Sequence, residues 1–385
     1  MAIPTLLLPS IIVNKMPVRI AVIYTHFPHY RAPVFEALSK SEIYSFEFFY
    51  DAKGIDETIR NGTLSANYRH LPVKSFRGFM WQKGVTEVIR NKSFDGFIFL
   101  GNPYVVSTWF ASILARLLSK PVFFWTHGWL KPEHGVKATV RRVFYRLADG
   151  LLVYGRRAKE IGRVEGFPDA SIHVVYNSMN YREQVQARGL VSKGLAKIGD
   201  EANLGKYFLT AGRLIESLEL DLAIKAMSHL SSSATLVVVG GGPQQGSLEA
   251  EAAALNVDVR FLGPVYDEER LAALFMNACA VVSPGKVGLL AMHALGYGAP
   301  VITHDDLNQQ MPEVEAIVPG ETGAFFRKGD VNDLARQMAF YLRLPSTSRS
   351  VCRSTAIETI EKNYTPEAQV VLIEAALNTQ YKVRS

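Results

Sequence analysis

Cysteine is almost missing from this chain: Cys279 and Cys352 stand far apart, in apolar or helical surroundings and without metal-ligand spacing. That excludes a disulfide framework and a cysteine metal site, and it fits a reducing compartment. Short-period repeats and low-complexity tracts are lacking too, which excludes a solenoid. Long apolar runs are also absent. The most apolar later stretch, Gly96 to Leu118, is interrupted by Asn102-Pro103 and reads as strand, turn and helix rather than as a membrane span. The first fifteen residues, MAIPTLLLPSIIVNK, have no positive n-region, and Pro4 and Pro9 break their apolar run. No small-residue cleavage site follows. Residues 1–16 are therefore read as a disordered extension, or as sequence upstream of a start at Met16.

What is present is a globular composition. Of 385 residues, 48% are hydrophobic and 20% charged, enough for a packed core in two or three domains. The net charge of +6 is uneven: residues 1–190 carry 25 Lys and Arg against 14 Asp and Glu, and the remainder carries 17 against 22. One half then faces something acidic, or its surface charge has drifted. No nucleic-acid-binding module accompanies the basic half, and nucleic acid is not expected as a partner. The stretch Val136–Leu147 spaces Lys137, Arg141, Arg142 and Arg146 among Val140, Val143 and Phe144 at helical period. It reads either as a basic amphipathic helix resting peripherally on an anionic membrane or as a domain helix with a solvated face.

Unbroken apolar strands alternate with helical patterns in two series. The first holds Val18–Tyr24, Phe46–Tyr50, Gly96–Leu100, Val122–Thr126, Gly150–Tyr154 and His173–Tyr176. The second holds Tyr207–Ala211, Thr235–Gly240, Val257–Leu262, Ala280–Ser283, Val301–Thr303 and Ala324–Phe326. The pattern predicts an α/β fold of two domains, each a doubly wound parallel sheet. Domains are expected at 17–190 and 191–365, with a helix at 366–385 packing back on the first.

Ligands of doubly wound sheets sit beyond the carboxyl ends of the strands, so the residues just after each strand carry the candidate chemistry. His127 follows a buried strand and precedes Gly128; its imidazole can orient a sugar or phosphate group, or serve the structure alone. The turn Gly285-Lys286-Val287-Gly288-Leu289 opens a helix whose first N–H groups suit a diphosphate, although such a turn can also be only a tight turn. Arg213, after Tyr207–Ala211, can pair with phosphate oxygens or with Glu216.

In order, Gly212-Arg213-Leu214, Gly240-Gly241-Gly242-Pro243, Leu262-Gly263-Pro264-Val265, Gly288-Leu289, Ala294–Val301, Glu315 and Gly320-Glu321-Thr322-Gly323 resemble glycosyltransferase family four. The first half matches more loosely, through Thr126-His127-Gly128, Ala148-Asp149 and Val175–Ser178. The resemblance implies the GT-B fold, two Rossmann-like domains facing across a cleft, and a nucleoside-diphosphate sugar held mainly by the second domain. It also implies retaining transfer of a sugar to an acceptor held by the first, with no metal and no separate cofactor. Arg213, Gly241, the 285–289 turn, His293 and Glu315 would contact the donor, and His127 would lie near the transferred sugar. The sequence departs from the family pattern at Gly285 and His293, where glutamates are usual, and at Leu218 and Glu219, where lysine and glycine are usual. Lys286 is the expected substitute for the missing lysine. The expectation is a cytoplasmic enzyme, peripheral on the inner face of the plasma membrane, adding a hexose-type sugar to a glycan or lipid-linked acceptor of a surface polysaccharide. The alternative is a catalytically weak or inactive scaffold of a glycan-assembly complex.

Overall fold

The computed structural model describes residues 17–53, 68–196, 204–231 and 234–381; the expected extension at 1–16 lies outside them. The first lobe holds strands β1 (Val18–His26), β2 (Tyr44–Asp51), β3 (Tyr68–His70), β4 (Val73–Phe76), β5 (Phe79–Gln82), β6 (Gly96–Leu100), β7 (Val122–Thr126), β8 (Gly150–Val153) and β9 (Ile172–Val174). Its helices are α1 (Ala32–Leu38), α2 (Val85–Arg90), α3 (Val106–Leu117), α4 (Gly135–Tyr145) and α5 (Arg156–Val164). Seven strands form one sheet in the order β3-β2-β1-β6-β7-β8-β9, every pairing parallel, and β4 and β5 make a separate antiparallel hairpin.

After α6 (Tyr181–Ser192), the second lobe contains β10 (Tyr207–Ala211), β11 (Thr235–Val239), β12 (Val259–Gly263), β13 (Val281–Ser283), β14 (Val301–His304) and β15 (Gly323–Phe326). These pair in parallel in the order β12-β11-β10-β13-β14-β15. Its helices are α7 (Leu220–Ser228), α8 (Gln245–Ala254), α9 (Glu268–Asn277), α10 (Leu289–Gly296), α11 (Val331–Arg343) and α12 (Ser346–Asn363), and α13 (Pro366–Asn378) follows.

Successive strand residues point to opposite faces, and both faces of each sheet are covered. In the first lobe Ile20, Val22 and Trp125 pack with Phe35 of α1 and with Ile373 and Leu377 of α13. Ala21, Ile23 and Phe124 meet Ala111 of α3 and Phe144 of α4 on the other side. In the second lobe Leu209, Val237 and Val281 pack with Phe275, Leu295 and Ile360, while Phe208, Leu236 and Val282 face Ile224, Leu248 and Met338. That double burial is why the strands read as continuous apolar runs.

Helix α6 packs against α9, so it belongs with the second lobe, and a boundary at 190 would cut through a helix. The chain returns to the first lobe at Thr365, whose side chain accepts from the N–H of Ala368 and starts α13. Helix α13 then joins the first lobe through Tyr44 Oη donating to Asn378 Oδ1 at 2.6 Å and Tyr381 Oη donating to the Asp95 carbonyl at 3.1 Å. Among the described residues, no helix is long and apolar enough to cross a membrane.

Candidate active-site cleft

The carboxyl ends of the two sheets meet across a cleft of about 1070 Å³. Tyr104, His127, Lys131 and Tyr154 line it from the first lobe, and Lys286 and Met311 line it from the second. The structure thus sets two of the expected site residues, His127 and Lys286, on facing walls of one space.

His127 leaves β7 where Thr126 Oγ1 and Tyr145 Oη are 2.9 Å apart, and the Gly128 N–H donates to the same Thr126 oxygen. Gly128 takes φ +66°, and a Cβ there would press on Val153 and Ala158, so the turn needs glycine. The His127 ring stands edge-on to Tyr154 with centroids 4.9 Å apart. It opens to the cleft water, yet it lies deep between the lobes. That desolvation, reinforced by the Arg31 and Arg141 cations, pushes its pKa down to about 4. At neutral pH it is an uncharged imidazole with one donor and one acceptor.

The turn after β13 is held from below. Gln310, 2% exposed, accepts from the Val287 N–H at 2.8 Å and donates to Thr303 Oγ1 and the His304 carbonyl. Gly285 N–H donates to the Leu218 carbonyl at 3.0 Å, and Lys286 N–H to the Ser217 carbonyl at 3.3 Å. A Cβ at 285 would lie 2.2 Å from that Ser217 oxygen. The departures at 218 and 285 are therefore one feature: the 217–218 peptide occupies the space that a side chain at 285 would need. Among the described residues the N–H groups of Gly288, Leu289 and Leu290, at the start of α10, meet no acceptor. Lys286 is exposed and makes no ion pair among the described residues.

Arg213 is exposed at the end of β10, the strand paired with β13. Among the described residues it forms no ion pair, so the alternative of a bridge to Glu216 is not realised; nor is Arg213 among the residues lining the cleft. In the neighbouring glycine run a Cβ at Gly240 would fall 1.9 Å from the Gly212 carbonyl oxygen, and one at Gly242 2.4 Å from that of Leu214. A Cβ at Gly241 would make only an ordinary contact, 3.8 Å from Pro264. The close approach rests on its two neighbours rather than on Gly241.

Residues 205–343 match the model of the family Glycosyl transferases group 1. A segment of 106 residues is 32% identical to the D-rhamnosyltransferase WbpZ of Pseudomonas aeruginosa, covering 26% of this chain and 27% of that protein. The chain therefore matches about a quarter of the length of this curated relative. Over whole chains, the lipopolysaccharide outer core galactosyltransferase WaaB superposes with TM-score 0.68 at 18% identity, covering 94% of this chain and 100% of that one. HepE of Anabaena, solved with UDP, superposes with TM-score 0.70 at 17% identity, over 94% and 100%. The fold is GT-B.

The remaining expected residues of this GT-B pair sit differently from their sequence reading. Val287 is fully buried and its N–H is taken by Gln310, so its contribution is to hold the turn. His293 Nε2 lies 2.9 Å from Glu268 Oε1, with Phe275 and Tyr297 packed on the ring. In this conformation it is turned to α9 rather than free for a ribose. Burial would raise the Glu268 carboxyl, but the His293 and Tyr297 hydrogen bonds outweigh it and hold it below its usual range. Glu315, expected on ribose or donor sugar, caps the other lobe: its two oxygens accept from the N–H groups of Arg156 and Arg157, each at 2.8 Å. These are the orphan donors at the N-terminus of α5, which has no side-chain cap of its own. Gly155 permits the approach, since a Cβ there would meet Glu315 Oε1 at 2.5 Å.

The basic reading of α4 also changes. Arg141 Nε pairs with Glu133 at 2.7 Å and Arg142 with Glu165 at 2.8 Å, so its central cations are already neutralised. Sequence reasoning passed over Gln310 and Arg31. Arg31, 6% exposed, donates to Tyr154 Oη and lies 5.2 Å from the Trp125 ring centroid. Its Nη1 and Oε2 of Glu313, on the facing lobe, are both buried without a hydrogen-bond partner.

Proposed function

We propose that this protein is a glycosyltransferase that moves a sugar from a nucleoside diphosphate to a glycan or lipid-linked acceptor with retention, in surface polysaccharide assembly. The observation that carries the reading lies at the strand ends of the second lobe: among the described residues Arg213 and Lys286 make no ion pair and three N–H groups opening α10 meet no acceptor, on adjacent strands of a region that matches the group 1 family model. In this reading the leaving diphosphate is neutralised by those cations and N–H groups rather than by a metal ion. The first lobe holds the acceptor, and neutral His127 orients the transferred sugar across the cleft from Lys286. The polysaccharide assignment draws on the names of WaaB and WbpZ, and UDP as the nucleotide part draws on the HepE complex.

The test is turnover. Nucleoside-diphosphate release from a candidate sugar nucleotide should require both an envelope-glycan acceptor and Arg213, and NMR of the product should show the donor's anomeric configuration kept. An inverted product would overturn retention; no release from any UDP-, GDP-, ADP- or TDP-sugar would favour the second reading. That reading, a weak or inactive scaffold, is supported by one observation: the 217–218 peptide fills the space beside Gly285 and leaves no room for a carboxylate there.

A further inference from the structure

The first lobe carries an outward apolar surface that nothing among the described residues covers. In the β4–β5 hairpin, Phe76 is paired with Phe79 and Lys74 with Trp81. Strand side chains alternate, so Lys74, Phe76, Phe79 and Trp81 share one face. The opposite face holds Gln82, which is buried and donates to the Tyr24 carbonyl at 2.9 Å. The face with the three rings therefore looks out. Phe76 is 72% exposed and Phe79 53% exposed. Arg77 and Gly78 at the tip take φ of +48° and +81°, the two-residue turn that matches strand twist and keeps the rings side by side.

The surface continues onto α3. Trp81 and Phe110 have ring centroids 5.7 Å apart, and Phe79 and Tyr104 6.1 Å apart. Phe110, Ile113 and Leu117 follow at helical spacing as one exposed stripe, with Leu117 77% exposed. Tyr104 also lines the cleft, so the surface reaches the cleft mouth. Lys74, Arg77 and Lys83 are exposed around the rings and make no ion pair among the described residues; the Arg77 guanidinium lies over the Phe76 ring at 5.3 Å.

We propose that this hairpin face and the α3 stripe, rather than α4, dock the first lobe on an anionic lipid surface. Aromatic rings beside unpaired cations insert at the headgroup level while the charges meet lipid phosphates. A second copy of the chain is disfavoured by charge, because a symmetric contact would oppose the same three cations to themselves. Docking in this orientation brings the Tyr104 mouth of the cleft to a lipid-held acceptor, a consequence that rests on the glycosyltransferase reading above.

The test is flotation of the full chain with vesicles of phosphatidylglycerol mixed into phosphatidylcholine, against phosphatidylcholine alone. The wild type should bind the anionic vesicles. Phe76→Ser with Phe79→Ser, and separately Lys74→Glu with Arg77→Glu, should each weaken binding about tenfold or more. Val136→Ser with Val140→Ser on α4 should bind as wild type does. Melting temperature and stabilisation by nucleotide sugars should be unchanged in all of them, because the side chains are exposed and outside the nucleotide region. Four results would overturn the proposal: no wild-type binding to anionic vesicles, equal binding to neutral ones, binding that both hairpin variants retain, or a lipid-free dimer that the phenylalanine variant dissociates. Vesicle binding without any response to nucleotide sugars would instead refute the glycosyltransferase reading and leave the docking surface standing.

Discussion

The lobes differ in charge in the opposite sense to their assigned tasks. Residues 1–190 have an excess of 11 positive charges and the rest an excess of 5 negative ones, yet Arg213 and Lys286, the cations proposed to meet phosphate, lie in the negative part. Away from the hairpin, whose Lys74, Arg77 and Lys83 make no ion pair among the described residues, the difference lies in which cations are paired. In the first lobe Arg19 and Arg69 both reach Glu47, Arg116 pairs with Asp149, Arg141 with Glu133 and Arg142 with Glu165. In the second, Arg213 and Lys286 stand at strand ends with no acid attached among the described residues. An exposed ion pair contributes about 0–1 kcal/mol, whereas a hydrogen bond to a charged group contributes about 1.5–3 kcal/mol. Net charge by lobe is a poor guide to where an anion binds; unpaired charge at the ends of parallel strands is a better one.

That contrast can be broken most strongly at Gly285. Introducing a carboxylate with Gly285→Glu should destabilise the protein by about 3 kcal/mol or more, measured by urea denaturation, because its Cβ meets the Ser217 carbonyl. Gly241→Ala, with its open Cβ position, should cost under about 1 kcal/mol. Equal losses at the two glycines would show that the 217–218 peptide is not fixed against the turn. Next in size, Arg213→Ala should lower kcat/KM about a hundredfold, and Lys286→Ala about tenfold, while Arg142→Ala in the paired first lobe should change it little. A larger effect at Arg142 would reverse the comparison.

Smaller effects are expected where the lobes touch. Glu315→Gln should cost about 1–2 kcal/mol of stability, since the amide oxygen can accept from only one of the two N–H groups at the start of α5 and the charge opposite the helix dipole is lost. An unchanged denaturation midpoint would argue against the cap. A pH-dependent effect is expected from His127, whose folded pKa of about 4 lies below its ordinary 6.5. Between those values the unfolded chain binds the extra proton, so stability should fall as pH drops from about 6.5 to about 4. His127→Gln should show a shallower fall over that window in a melting-temperature series, and a slope equal to wild type would contradict the depressed pKa.

Much of the fold was legible because burial on both faces makes these strands continuous apolar runs: Gly96–Leu100, Val122–Thr126 and Tyr207–Ala211 coincide with β6, β7 and β10. The hairpin β4–β5 and the short β3 were not, because their outward residues mix rings with Lys and Arg and contribute little to a core. At the site, strand-end position singled out His127, Arg213 and the 285–289 turn. Gln310 escaped because it acts on a turn 23 residues away with no local pattern to mark it. Glu315 read as a ligand because its partners, the N–H groups of α5, lie 158 and 159 residues upstream in the other lobe. Capping across a cleft leaves no trace in local spacing.

The central claim is that the second lobe holds a sugar nucleotide through unpaired cations at its strand ends. A thermal-shift titration with UDP-, GDP-, ADP- and TDP-sugars, run on wild type and Arg213→Ala, addresses it most directly. The account predicts saturable stabilisation of the wild type by one of the four, and loss of that stabilisation in the variant. Stabilisation by none of them, or an undiminished shift in Arg213→Ala, would contradict it.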